Sequence, residues 1–198
     1  LGLREHLDGE QIRKFGFRFF FSDGVEAIDR CSELGVSKLL PMTSWQLDRG
    51  RFENFLGDRA RELGVVFLDG ATVKHVDPAS DDGLHAVEFE HEGIATRLEA
   101  RWLVDAAGRA SLLKRKFALA EDNPHDVNAA WWRVDGIVDP NLWSRDNDWL
   151  LRCTPPDRWR STNHLCGRGY WAWMIPLASG AHSIGIVADG ATHPLEKL

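Results

Sequence analysis

The sequence predicts an α/β fold in which a parallel sheet is interrupted by a β excursion and followed by a β-rich region. A helical pattern after Asp48 leads into an apolar run at 65–68, and a second apolar run at 102–105 leads into a glycine turn. Between them, residues 71–100 alternate between apolar and polar side chains. Continuous apolar runs are typical of buried parallel strands, whereas alternation is typical of half-exposed antiparallel strands.

The elements before the excursion follow from their boundary residues. An aromatic, strand-like run spans 15–21 and ends at a Ser-Asp-Gly turn, and a loop is expected from there to about Ser44. Asp48 is a suitable N-cap for the helix, apolar residues follow at helical spacing, and Gly64 is placed to end it.

The excursion and its exit are also marked by turns. Asp-Gly and Glu-Gly pairs divide residues 71–100 into three short antiparallel strands. A tight turn at Gly108 follows the second apolar run, and Ser111 is expected to cap a short helix that ends near Phe117.

The character of the sequence changes after residue 122, which predicts two domains, 1–122 and 123–198. The second domain reads as mostly β, with turns at Pro-Pro and Ala-Ser-Gly sequences. Its expected strands are 127–135, 165–167, 170–175 and 183–187.

Composition excludes several classes of function. The 198 residues carry a net charge of −6 and no long basic run, which argues against nucleic acid as a partner. No apolar run reaches the roughly 18 residues of a membrane span. The three cysteines are odd in number and widely spaced, as in a reducing cytoplasm, and no CxxC or HExxH spacing predicts a metal site.

Tryptophan is unusually frequent. The chain has nine tryptophans against one tyrosine, and seven of them lie at or after Trp131. A buried indole needs a partner for its N–H, so this density favours a flat apolar pocket for an aromatic ligand. A core that simply uses tryptophan for its large buried area is the alternative.

The segment W-A-W-M-I-P at 171–176 is the most specific motif. In a strand, Trp171, Trp173 and Ile175 point to one face, and Pro176 ends the strand. The segment resembles the W-x-W-x-I-P signature of flavin-dependent halogenases, whose corresponding strand lies beside the tunnel between flavin and substrate. Two core tryptophans on one strand are the alternative.

A second resemblance begins at Asp48. The segment D-R-x-x-F-x-x-x-L at 48–56 is similar to one in flavoproteins with two dinucleotide-binding domains, where the arginine borders FAD. Arg49 in the first helical turn opposes the helix dipole, which a flavin phosphate or ribose would compensate. A surface arginine paired with Asp48 or Glu53 is the alternative.

The turn after the second apolar run resembles the second cofactor-contacting segment of the same flavoproteins. The resemblance assigns Asp105, Gly108 and Arg109 to FAD binding. Gly108 lets a backbone approach a cofactor closely, and the N–H groups of the following helix can face a phosphate. A plain strand-to-helix turn is equally compatible with D-x-x-G-R.

Lys14 lies in K-F-G-F-R-F, which is similar to the K-x-G-x-[KR]-F segment of halogenases. The resemblance gives Lys14 the role of guiding the halogen, and Arg18 the trailing basic position. A desolvated lysine has a lowered pKa and is partly neutral. Its amine could then accept the halogen from hypohalous acid, or polarise that acid through a hydrogen bond. The alternative is a solvated lysine that flanks an aromatic strand and limits aggregation.

The family resemblance implies a partial FAD-binding, doubly wound domain joined to a β-rich substrate domain. No G-x-G-x-x-G follows an early strand, so the sequence looks truncated at both ends and is expected to bind FAD poorly by itself. The implied activity is halogenation of an aromatic or electron-rich small molecule, with reduced flavin from a separate reductase.

Two rival functions remain open. A related hydroxylase or a reductase of the geranylgeranyl-reductase kind would share the flavin segments without needing Lys14 or the paired tryptophans. A non-catalytic β module that binds aromatic ligands would need the tryptophans and no flavin.

Overall fold

A computed structural model describes residues 2–22 and 26–194. Within these residues the α-helices are α1 (Leu3–Glu10), α2 (Arg49–Glu62), α3 (Leu112–Lys116) and α4 (Asn147–Leu151). The strands are β1 (Ile12–Arg13), β2 (Phe17–Phe21), β3 (Ser32–Gly35), β4 (Trp45–Gln46), β5 (Thr72–Asp77), β6 (His85–His91), β7 (Ile94–Ala100), β8 (Val127–Asp135), β9 (Thr162–Gly167), β10 (Tyr170–Pro176) and β11 (Ala181–Asp189).

The chain divides into two compact units. The first comprises Leu1–Leu56 with His125–Leu198, and the second is Gly57–Pro124. No helix in the described part of the chain is long and apolar enough to cross a bilayer.

The first unit is built on a six-stranded sheet in the order β3-β2-β9-β10-β11-β8. Strands β9, β10 and β11 pair antiparallel, and tight connections at Gly169 and Gly180, both with positive φ, join them. The β2–β9 pair is parallel, although β2 and β9 are far apart in the sequence. The strands predicted in the second domain are confirmed, with β9 beginning earlier than expected.

One face of this sheet covers the core. Phe20, Ile28 and Trp149 are buried together, and Leu165 packs against them. Hydrophobic burial on this face therefore holds β2 and β9 beside each other.

A buried ionic cluster lies next to that core. Arg158 donates from Nε and Nη2 to the two carboxylate oxygens of Glu33, at 2.8 and 3.3 Å. Arg18 of β2 pairs with the same carboxylate, and its side chain is only 2% exposed. Arg18, the trailing basic residue of the lysine segment, therefore forms a structural ion pair that links β2 to β3. Burial would raise the pKa of Glu33, but the two arginines outweigh it and hold that pKa below its usual value.

The second unit contains the predicted meander, which is confirmed as the antiparallel sheet β5-β6-β7. Its tightest turn is at Glu92 and Gly93, both with positive φ. The helix before it is also confirmed, since α2 covers Arg49–Glu62 and Gly64 follows with a φ of +83°.

The two apolar runs predicted to be parallel strands are not strands in the structure. Residues 65–68 and 102–105 have no strand pairing in the described chain, and Val66 and Trp102 are 80% and 86% exposed. A strand requires a neighbour that supplies backbone partners. The mixed α/β class is confirmed, whereas the doubly wound parallel sheet is not present among the described residues.

Other local expectations also differ. The stretch expected to be a loop before Ser44 contains β3, whose partner is β2. The helix α3 is present, but the Ser111 side chain does not cap it; Ser111 has a φ of +47° and its hydroxyl donates to the Gly108 carbonyl. The Asp105 carboxylate accepts from the Leu113 N–H instead.

The compact units do not follow the division at residue 122. Residues 1–56 cluster with the chain after Pro124 because β2 forms its parallel ladder with β9. Local composition does not indicate long-range hydrogen bonds of this kind. A boundary drawn from composition therefore places β2 and β9 in different domains.

Candidate functional site

An aromatic surface covers the sheet face opposite the core. On β2, alternation places Phe17, Phe19 and Phe21 on this side, with neighbouring ring centroids 6.5 and 6.2 Å apart. On β9, the His164 ring stacks on Phe19 with centroids 4.7 Å apart and planes inclined by 13°. Burial lowers the pKa of His164, and the positive charge of Lys14 lowers it further.

The tryptophan motif continues this surface. Trp173 pairs with His164 on one side and with Gly185 on the other, and Gly185 in turn pairs with Trp131 on β8. Residues paired across strands share a face, so these side chains and the β2 phenylalanines form one surface, which we call the aromatic face.

Gly185 makes room for the central indole. A Cβ at this position would lie 2.2 Å from Cζ2 of Trp173, so the indole lies directly over the glycine. The indole Nε1 donates to Oγ of Ser183 at 3.3 Å, which satisfies its N–H.

Lys14 lies at the β2 end of the aromatic face. Its Nζ is 3.4 Å from the ring centroid of Phe17, and its backbone N–H donates to the Ser44 carbonyl at 2.8 Å. Burial lowers the pKa of Lys14. A cleft of about 650 Å³, the lysine cleft, adjoins it; its lining includes Lys14, Phe17, Phe19, Leu34, Val36 and Trp45.

A second cleft of about 670 Å³ lies on the same sheet face, and we call it the tryptophan cleft. Two indoles and two guanidinium groups line it together with aliphatic side chains. Its lining includes Arg49, Glu53, Trp131, Arg133, Trp173 and Ile175.

The residues of the W-x-W-x-I-P motif lie on the faces of β10 that strand alternation predicts. Trp171, Trp173 and Ile175 lie on the aromatic face, opposite Val187, Gly185 and Ser183 of β11. Pro176 is the last residue of β10 and is buried.

Arg49 lies in the tryptophan cleft at the start of α2. Its Nε donates to Oε1 of Glu53 at 2.8 Å, and its side chain is otherwise exposed. The surface ion pair considered from the sequence is therefore formed, and the arginine also faces a cleft large enough for a ligand.

Asp105, Gly108 and Arg109 belong to the second unit. The Asp105 carboxylate accepts from the backbone N–H groups of Ala107 and Leu113, which lower its pKa. Gly108 has a φ of +57° and no heavy atom within 4 Å of where a Cβ would stand. Asp105 thus shapes the turn, and Gly108 leaves its outer side open.

Several residues of the aromatic face were not identified from the sequence. Phe17 and Phe19 belonged to a recognised strand, but His164, Trp131, Arg133 and Gly185 were not predicted as site residues. Alternation in β8 and β11 could have grouped them by face, whereas their position beside Trp173 depends on the register.

Solved structures of flavoenzymes share this fold. The flavin-dependent halogenase CmlS superposes with a TM-score of 0.71 at 22% identity, over 96% of this chain and 32% of that chain. A geranylgeranyl bacteriochlorophyll reductase-like protein from Thermoplasma acidophilum has a TM-score of 0.67 at 18% identity, over 99% of this chain and 47% of that chain. The fold is therefore shared with a flavin-dependent halogenase and with a reductase-like protein.

The chain belongs to the tryptophan halogenase family, whose model matches residues 35–192. The flavin-dependent halogenase armH3 of Armillaria mellea is 26% identical over 151 residues, which is 73% of this chain and 28% of that protein. The chain thus spans about a third of the length of these relatives. Arg49, Asp105 and the motif at 171–176 lie within the matched range, and Lys14 precedes it.

Proposed function

We propose that this chain serves an FAD-dependent halogenase that acts on an aromatic or electron-rich small molecule. The observation that supports this most is the aromatic face, which places a desolvated lysine and the W-x-W-x-I-P strand on one continuous surface. Membership of the tryptophan halogenase family supports the same proposal.

Lys14 is the proposed catalytic residue. Its amine lies over the Phe17 ring at the edge of an apolar cleft, where burial favours the neutral form. A neutral amine can attack the halogen of hypohalous acid, which forms an N–halogen bond and releases water after proton transfer to hydroxide. Alternatively, the ammonium form can donate a hydrogen bond to the acid and polarise it.

The aromatic face restricts where the oxidant can travel. The rings of Trp171, Trp173, Phe19 and His164 present a surface made mostly of ring carbon, which binds water weakly. Tryptophan and histidine also react with hypohalous acid, so a fast transfer to Lys14 protects the surface that guides it.

The tryptophan cleft is suited to a flat aromatic group. Its indoles offer stacking surfaces, and Arg49 and Arg133 offer charge for an anion. Reduced FAD, when bound, would supply together with dioxygen the two-electron oxidation of halide to hypohalous acid, with water as the second product. A separate cytoplasmic reductase would supply the reduced flavin. Arg49, Asp105, Gly108 and Arg109 are the proposed FAD-binding residues, and Asp105 also shapes the turn through its backbone hydrogen bonds.

Replacing Lys14 by Ala in the full-length protein tests this function. We expect halide-dependent product to fall at least a hundredfold, while flavin content and the rate of flavin oxidation stay unchanged. The matched control Lys38→Ala, at an exposed position outside the aromatic face, should leave product formation intact. Near-normal halogenation by the Lys14 variant would contradict the proposed role.

A halogen-independent flavoenzyme is the second candidate, because the reductase-like structure shares the fold. It predicts a flavin-dependent product that needs no halide and survives the loss of Lys14. A non-catalytic module would instead show tryptophan quenching by aromatic ligands without any flavin. The isolated 198-residue chain should bind FAD weakly, and a flavin absorption band that co-purifies with it would contradict that expectation.

A further inference from the structure

We propose that Arg133 binds an anionic group of a planar aromatic ligand in the tryptophan cleft, and that this ligand is the reduced flavin ring. The inference rests on the proposed function, and it assigns to Arg133 a role that neither the motif nor the lysine segment includes.

Arg133 has unused hydrogen-bonding capacity. Its nearest acidic partner within the described residues is Asp48, whose Oδ1 is 3.9 Å from Nη2, beyond hydrogen-bond distance. The Asp48 carboxylate is itself buried and accepts from the Ser179 N–H at 3.3 Å. The Arg133 side chain is 51% exposed and lines the cleft, and its only ionic contact among the described residues is the long one to Asp48.

Other arginines of the first unit are engaged differently. Arg49, in the same cleft, is held by Glu53 at 2.8 Å. Arg158 donates to Glu33, Asn141 and the Trp149 carbonyl. An arginine that makes no side-chain hydrogen bond among the described residues and lines a cleft keeps all its N–H donors available for an external anion.

The register places Arg133 beside both indoles. Arg133 pairs with Ser183 and Trp131 pairs with Gly185, so the two β8 side chains point to the same face two residues apart. Trp173 occupies the space above Gly185 on the neighbouring strand. The cleft therefore offers stacking surface and a planar cation together.

This combination selects the class of ligand. A neutral aromatic ring would use the indoles alone, and an isolated phosphate would need no indole. A flat ring with a delocalised negative charge uses both, because a guanidinium is planar and weakly hydrated. A reduced flavin ring carries such a charge at neutral pH, and a cation near its N1 is a recognised means of tuning it.

The test compares full-length variants by the midpoint potential of bound flavin, which does not depend on halogenation. We expect Arg133→Met to weaken binding of reduced flavin about tenfold relative to oxidised flavin, equivalent to a fall of about 30 mV for a two-electron couple. Arg133→Lys should show a smaller fall. Arg145→Met, at an exposed loop position, should match the wild type.

The outcomes separate the inference from the function on which it rests. A wild-type protein that binds no flavin would overturn the proposed function. Normal flavin binding with an unchanged potential in Arg133→Met would overturn the inference and leave the function standing. A raised substrate KM with an unchanged potential would also overturn it, because the anion would then be the substrate.

Discussion

Replacing Gly185 by Ala tests whether the central indole of the aromatic face lies where the structure places it. The added Cβ would stand 2.2, 2.4 and 2.7 Å from Cζ2, Cη2 and Cε2 of Trp173. Carbon atoms pack at about 3.5–4.0 Å, so the indole would have to move by roughly 1 Å or more. That movement would also break the hydrogen bond from Nε1 to Ser183.

The expected loss of stability follows from these distances. Overpacking of this kind costs about 1–3 kcal/mol, and the lost hydrogen bond adds up to about 1 kcal/mol. The lower backbone entropy of alanine in the unfolded chain offsets about 0.5–1 kcal/mol. A net destabilisation of about 1–3 kcal/mol is therefore expected.

Urea unfolding followed by far-ultraviolet circular dichroism measures this change, and tryptophan emission should shift because an indole moves. Gly9→Ala is the matched control, since no heavy atom lies within 4 Å of a Cβ there and the position is an exposed one in α1. It should be neutral or slightly stabilising. A Gly185→Ala protein within about 0.5 kcal/mol of wild type, with unchanged emission, would refute the register and packing described for β10 and β11.

Two further predictions concern buried titratable side chains, Glu33 and His182. Glu33→Gln should lower the free energy of unfolding by about 3–5 kcal/mol, because Arg18 and Arg158 would remain buried without their carboxylate. The exposed Glu62→Gln should change it by less than about 0.5 kcal/mol, and a similar effect of both changes would contradict the buried pair. Burial lowers the pKa of His182 from 6.5 to about 4. Between these pH values the unfolded chain binds more protons than the folded one, so the free energy of unfolding should fall as the pH falls from about 6.5 to about 4. Urea midpoints measured across this pH range should fall with pH in the wild type and fall less steeply in His182→Gln. Equal slopes in the two proteins would contradict the assignment of this pH dependence to His182.

Local pattern was sufficient for many of the elements. Alternation placed Trp171, Trp173 and Ile175 on one face, and turn residues divided the meander correctly. These features depend on backbone geometry that repeats every two residues, so they can be read from neighbouring positions. The helix from Arg49 to Glu62 was also predictable, since its boundary residues and periodicity are local.

Pairing between distant segments could not be predicted in the same way. The apolar runs at 65–68 and 102–105 have the composition of buried strands, yet the described residues give them no partner. Composition indicates that a segment is suited to a strand, but the hydrogen bonds that make it one come from another part of the chain.

The sequence by itself determined the family resemblance and the tryptophan strand, and it singled out Lys14 as the proposed catalytic residue. Only the tertiary structure decided that β2 lies parallel to β9, which aligns Phe19 with His164 and, through β10, with Trp173. The same register made Gly185 the space for an indole and placed Arg133, whose ion pair with Asp48 is long at 3.9 Å, beside it. The physical reason is that β2 and β9, like β8 and β11, come from segments that are distant in the sequence, where burial of a shared core, rather than local preference, selects the pairing.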